Sequence, residues 1–238
     1  MQAVIIGASG GIGAAMTAAL AERSDVDLVH ALSRSGRALP HPSVQSGFVD
    51  LLDEDSIAAA TARIVERGTP DLVVVATGIL SDGQSLSPEK SLRQQNPDAF
   101  QRVFAINTFG PALIAKHFIP IQPRTGRAVF AALSARVGSI SDNRLGGWHA
   151  YRASKAALNM LIRNYAIEEA RRNPEFVAVS LHPGTVDTAL SKPFQSGVPE
   201  QNLFTAERSA NHLLDVIDGL TPDHSGKAFD WAGLEIPA

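Results

Sequence analysis

Val4-Ile5-Ile6-Gly7-Ala8-Ser9-Gly10-Gly11-Ile12-Gly13-Ala14-Ala15-Met16-Thr17-Ala18-Ala19-Leu20 decides the fold. Three β-branched residues end at Gly7, and from Gly13 onward small and apolar residues give strong helix propensity. The stretch reads as strand, tight turn, helix. Glycines in the turn let main-chain N–H groups come close to a ligand, and the helix that follows points its positive end at the same spot. A pyrophosphate suits both properties, so the turn from Gly7 through Ser9, Gly10, Gly11 and Ile12 to Gly13 is the first candidate site. Its spacing satisfies a GxxxGxG frame and a GxxGxxG frame alike, which leaves the subclass open.

Working outward, Asp27 to Leu32, Phe48-Val49, Leu72 to Ala76, Ala128 to Leu133, Val177 to Leu181 and Lys227 to Trp231 read as further strands. Leu72 to Ala76 lacks polar alternation, as a strand buried on both faces should. Helical patterns at Ser56 to Glu66, Asp98 to Phe118 and Tyr151 to Arg172 separate them. Asp53-Glu54-Asp55 suits a helix N-terminus, and Gly68-Thr69-Pro70 stops that helix. Strands alternating with helices imply right-handed crossovers. The expected architecture is an α/β Rossmann fold, a doubly wound parallel sheet of about seven strands with helices on both faces. Ligands then bind at the carboxyl ends of the strands. No repeat or long linker divides the chain, so residues 1–238 read as one domain. The softest segments are Ser81 to Pro97 and Ser191 to Phe204.

Composition narrows the function. The 238 residues are 45% hydrophobic and 19% charged, enough apolar surface for a core, and the net charge of −3 supplies no basic field for nucleic acid or an anionic membrane. Zero cysteines exclude disulfides, thiolate nucleophiles and Cys-ligated zinc. The histidines show no HxxxH or HExxH spacing, so no metal is expected. Met1 to Ile6 runs into the glycine turn without a basic leader, and the expectation is a cytoplasmic protein.

Two constellations carry the chemistry. The second strand ends Leu32-Ser33-Arg34-Ser35, with no acid to accept from adenosine ribose hydroxyls; Ser33 and Arg34 suit a 2′-phosphate, which favours NADP(H) with NAD(H) as second choice. Asp50 either accepts from an adenine amino group or begins a turn. In Tyr151-Arg152-Ala153-Ser154-Lys155, the phenol and the amine stand four residues apart on one helix face. A nearby cation favours phenolate and brings the tyrosine pKa toward neutrality.

Gly7 to Gly13, Asp50-Leu51, Ala76-Thr77-Gly78, Asn107, Ser134, Tyr151 to Lys155 and Pro183-Gly184-Thr185-Val186-Asp187-Thr188 stand in the order found in the short-chain dehydrogenase/reductase family, which the chain resembles over essentially its whole length. It is most similar to carbonyl reductases of the C-factor and sniffer type, through Ser134 to Ile140, Gly146-Gly147 and Lys227 to Trp231. The resemblance implies that Tyr151 protonates a developing alkoxide, with Lys155 lowering its pKa and binding the nicotinamide ribose. Ser134 would hydrogen-bond the substrate oxygen, and Asn107 would open its helix and hold a proton-relaying water. Asp50, Leu51, Ala76, Thr77 and Gly78 would line the cofactor, and Pro183, Gly184, Val186 and Thr188 would wrap its nicotinamide end.

Departures from the family pattern matter. The usual Asn-Asn-Ala-Gly is Val75-Ala76-Thr77-Gly78. The usual Ser-Ser is Ser134-Ala135, and in the commonest register the catalytic serine falls on Ala135, with Ser139 and Ser141 in reserve. Asp142 to His149 lengthens the approach to Tyr151 and should line the substrate side. A substrate loop is expected near 187–204, in which Phe194 to Phe204 either closes over a ligand as a lid or packs onto the core. His149 and His182 read as ordinary polar residues. The implied activity is NADPH-dependent reduction of aldehydes, ketones or quinones, small-molecule carbonyl compounds, by a homodimer or homotetramer. Alternatives are an NADPH-binding signalling protein with little turnover, and a nucleotide-sugar epimerase or dehydratase.

Overall fold

A computed structural model describes residues 1–238. In chain order the elements are β1 (Gln2–Ile6), α1 (Gly11–Ala21), β2 (Leu28–Ser33), β3 (Val44–Phe48), α2 (Glu54–Val65), β4 (Leu72–Val75), α3 (Pro97–Phe104), α4 (Gly110–Phe118), β5 (Ala128–Leu133), α5 (His149–Glu169), β6 (Phe176–His182), β7 (Thr185–Val186), β8 (Leu203–Phe204), α6 (Ala206–Asp218), β9 (Ala228–Asp230) and β10 (Glu235–Ile236). Eight strands form one sheet in the order β10-β9-β6-β5-β4-β1-β2-β3, and β7 pairs with β8 apart from it. Every pairing in the large sheet is parallel except β9 with β10. This is the Rossmann arrangement expected, one strand wider than expected. The chain reverses direction across the sheet between β1 and β4, and the crevice at their carboxyl ends is where such sheets hold ligands.

Alternation along the strands builds both faces. Ala3 and Ile5 of β1 join Met16 and Leu20 of α1 and Leu213 and Ile217 of α6 in one buried cluster. Val4 and Ile6 face the other way, onto Ile57 of α2, Phe118 of α4 and Ile162 of α5. α6 is absent from the sequence reading, although Thr205 caps it and Ala210, Leu213, Leu214 and Ile217 bury one face at helical spacing. β3 was legible only at its last residue, because an edge strand reading Val-Gln-Ser-Gly-Phe is half exposed and lacks an apolar run. No helix is long and apolar enough to cross a membrane.

Close backbone approach fixes the first turn. Gly7 has φ +90°, and its N–H donates to Leu32 O at 2.8 Å. A Cβ on Gly13 would lie 2.3 Å from Gly7 O, whereas one on Gly10 would meet only Gly7 O at 3.4 Å. Gly13→Ala is therefore expected to cost about 1–3 kcal/mol in urea unfolding, because the obstructing atom is backbone. Gly10→Ala, which loses only a favourable N-cap residue, should cost less than about 1 kcal/mol. Equal stabilities for the two variants would contradict this packing.

Candidate active site

The glycine turn presents donors. Gly10 is the N-cap of α1 and has no side chain to cap it. The N–H groups of Gly11, Ile12 and Gly13 have no partner within the chain, and no acidic residue stands in the first turn. Three aimed amides and an uncompensated helix terminus are the donor set a diphosphate requires. A Cβ on Gly11 would lie 2.8 Å from Thr188 Cγ2, so the segment after β7 rests on the same turn and the two candidate cofactor segments converge. Pro183 O accepts from Ser209 Oγ at 2.8 Å, while Gly184, at φ +79°, is pressed against Phe204 and Trp231. Val186 is buried.

At the end of β2, Ser33 is buried and its Oγ lies 3.0 Å from Ser35 Oγ. Arg34 is exposed, as is Arg37, and neither guanidinium is in an ion pair. Asp50 makes a turn contact with one carboxylate oxygen: Oδ1 accepts the Leu52 N–H at 3.0 Å. Its N–H donates to Ser56 Oγ at 2.9 Å. Leu51 is a core residue whose side chain abuts Gly110, leaving only its main chain for a ligand. Ala76 and Thr77 crowd Gly7, and the buried Thr77 Oγ1 has no partner.

Asn107 sits in a π-helical turn, Ala105–Phe109, between α3 and α4. Pro111, four residues on, has no N–H to offer its carbonyl, which is the local reason the helix loosens there. The fully buried side chain clamps the loop after β4: Oδ1 accepts the Ile79 N–H at 2.8 Å, and Nδ2 donates to Ile79 O at 2.9 Å. Nδ2 also reaches Ser154 Oγ at 3.2 Å. A Cβ on Gly78 would stand 3.5 Å from Asn107 Oδ1 and 3.6 Å from Lys155 Nζ. Gly78, Asn107 and Lys155 thus share one small space.

Lys155 is buried and donates to Leu133 O at 2.8 Å, and its Nζ lies 5.8 Å from the centroid of the Tyr151 ring. The two groups meet on one face of α5, as their spacing requires. Burial holds the ammonium down at about 7 and pushes the phenol up to about 12. Both shifts come from desolvation, and the amine does not lower the phenol. At neutral pH Tyr151 carries its proton.

Ser134 is oriented otherwise than expected. Its hydroxyl donates to Asn159 Oδ1 at 2.8 Å, so that proton is spent, and Ala135 packs against the apolar cluster that holds Tyr151. Ser139 is buried and accepts the Asp142 N–H at 3.1 Å, keeping its own proton. Ser141 is exposed and tied to the Ala238 carbonyl. Trp148, last but one of the added residues, places its ring edge-on to Tyr151 at 6.2 Å and 5.2 Å from Phe194. His182 is half-buried, and its Nδ1 is enclosed without a partner. Burial holds it at about 4, so it is neutral.

A family model described as short chain dehydrogenase matches residues 1–198. The chain belongs to that family. The C-signal protein of Myxococcus xanthus is 40% identical over 136 residues, 57% of this chain and 76% of that one. A 1-hydroxy-2-glutathionyl-2-methyl-3-butene dehydrogenase of Rhodococcus sp. (strain AD45) is 32% identical over 227 residues, 94% of this chain and 93% of that one. Among solved structures, the NADPH-bound carbonyl reductase from chicken fatty liver is 25% identical, with TM-score 0.86, covering 100% of this chain and 98% of that one. The carbonyl reductase Sniffer of D. melanogaster, 21% identical and with TM-score 0.85 over 100% of this chain and 99% of its own, shares the fold.

In this short chain dehydrogenase, sequence reasoning missed Arg37, Asn159 and Pro111. Only Pro111 left a signal, a proline inside a helical pattern. The depressed Lys155 pKa has a measurable consequence. Between about 7 and 10.5 the unfolded chain holds a proton that the folded one lacks, so stability rises with pH across that window. The melting temperature is expected to climb from pH 7 to pH 9.5, below the range where Tyr151 acts oppositely, and Lys155→Met should flatten the climb. Parallel curves for the two proteins would show that Lys155 is not dry.

Proposed function

We propose that the protein is an NADPH-dependent reductase of carbonyl compounds. The observation that carries this reading is a buried, protonated Tyr151 phenol beside Lys155, connected through the loop Ala76-Thr77-Gly78 to a glycine turn whose free amides fit a diphosphate. A bound nicotinamide would supply the hydride. Gly11, Ile12 and Gly13 would hold the pyrophosphate by their N–H groups, and Arg34 with Arg37 would pair with a 2′-phosphate. Lys155 would bind ribose hydroxyls, exchanging its bond to Leu133 O for them, with Asn107 keeping Gly78 and Ile79 out of the way.

Tyr151 would give its proton to the carbonyl oxygen as negative charge develops there. A phenol that keeps its proton at neutral pH suits reduction; the reverse reaction needs phenolate and should quicken as pH rises. Ser139, whose proton is uncommitted, is proposed as the second donor to that oxygen, with Ser134 as a strut to Asn159. Trp148, Phe194, Leu190, Leu80 and Leu86 share one apolar cluster with Tyr151, which favours aromatic or bulky aliphatic ketones, aldehydes and quinones. Self-association through the exposed Phe109 and Met160 belongs to the same reading.

The alternative of an NADPH-binding signalling protein draws on the C-signal relative, and a nucleotide-sugar epimerase or dehydratase is permitted by the GxxGxxG frame of the turn but favoured by no other feature of the site. NADPH oxidation with aromatic dicarbonyls and quinones decides. Turnover is expected, and Tyr151→Phe should lower kcat by about 10²–10⁴-fold with NADPH still bound. Binding without turnover would favour the signalling role, and equal turnover by the variant would remove the mechanism. Arg34→Ala, alone and with Arg37→Ala, should weaken NADPH by about tenfold or more while leaving NADH nearly untouched. An unchanged ratio of the two affinities would refute the phosphate site.

A further inference from the structure

The soft segment Ser81 to Pro97 contains a buried carboxylate that the chemistry above leaves unused. Glu89 is 4% exposed. Its Oε2 accepts the Ala150 N–H at 3.3 Å, and Oε1 is buried without a partner. Its main-chain carbonyl accepts the Trp148 N–H at 2.5 Å. A buried carboxylate is costly unless its charge is met, and this one stands at the first turn of α5. That turn has no cap of its own: the N-cap position is Trp148, whose indole accepts nothing, and no acidic residue lies within it.

Trp148 is also the one residue other than glycine with a left-handed backbone, at φ +51°, following Gly146 at +62° and Gly147 at +65°. A bulky side chain stays in that region only when its surroundings hold it there. Glu89 thus accepts from the N–H groups on either side of His149, that of Trp148 through its main-chain carbonyl and that of Ala150 through its carboxylate. The ring so held is the one that lies against Tyr151 and Phe194. The segment carrying Glu89 is itself fastened, since Asp82 accepts Leu86 N–H at 2.8 Å and Arg102 Nη1 of α3 at 2.7 Å.

We propose that Glu89 is a positioning residue: from the loop after β4 it caps the helix that carries Tyr151 and Lys155, and it locks Trp148 as the wall that aligns the phenol with the substrate. The proposal rests on the reductase reading. Because the cap comes from 61 residues away in sequence, the loop and the angle of the phenol move as one unit.

The full-length protein with Trp231→Phe, which leaves Trp148 as its sole indole, is the parent for the test. Glu89→Ala should lower kcat for a carbonyl substrate by about tenfold or more, keep the NADPH Kd within about twofold, and shift Trp148 emission to the red. Glu89→Gln, which keeps an oxygen for the Ala150 N–H, should restore the emission and most of the turnover. Should the alanine variant fail to fold, Glu89→Asp replaces it with the same expectations, since the shorter carboxylate falls short of Ala150. Turnover in Glu89→Ala within twofold of the parent, or a Glu89→Gln variant as impaired as the alanine one, overturns the proposal. A protein with its native Trp231 that binds NADPH and reduces nothing sinks the reductase reading instead. In that case an emission shift restored by glutamine still supports the cap, and an unshifted spectrum overturns it.

Discussion

The amine of Lys155, enclosed by protein and bonded to the carbonyl that ends β5, is the constraint around which the site is arranged. Burying a cation this way is unfavourable, and the depressed pKa is that cost made visible. The chain tolerates it because three elements must meet there. β5 supplies the carbonyl, α5 supplies the amine, and the loop after β4 brings Gly78 up to it, held by Asn107. Any substitution that tilts α5 against β5 moves the phenol and the amine together.

Topology explains why these elements are available at one point. β1 and β4 lie side by side at the reversal of the sheet, so their following turns, Gly7 to Gly13 and Ala76 to Gly78, open onto the same crevice. The turns are so close that a side chain at Gly7 would strike Ala76 O at 2.8 Å. The segment from Pro183 to Thr188 then closes over α1, with Phe204 and Trp231 pressed on Gly184 to hold its base. The segments proposed to carry the phosphate donors, the ribose ligand and the proton donor thereby meet at the strand ends.

Much of this was legible in the sequence where a short-range rule governs. β-branched runs, glycine spacing and the four-residue step from Tyr151 to Lys155 gave the sheet, the turn and the pair. The rest depends on partners far along the chain. Ser134 cannot be assigned from its own neighbourhood, because its direction is set by Asn159 on another element. The phenol pKa follows from burial rather than from the adjacent amine. Glu89 gives no local sign of facing α5. α6 is the exception, an amphipathic pattern with a Thr205 cap that sequence reading passed over.

The central claim is a direct hydride transfer onto a carbonyl carbon held beside Tyr151. Reducing an aromatic dicarbonyl with NADPH deuterated on the transferable face, and locating the isotope in the product by mass spectrometry and NMR, tests it most directly. One deuterium on the new carbinol carbon, with none lost to solvent, is the predicted result. A product labelled from water instead, or no labelled alcohol from either face of the cofactor, would contradict the account.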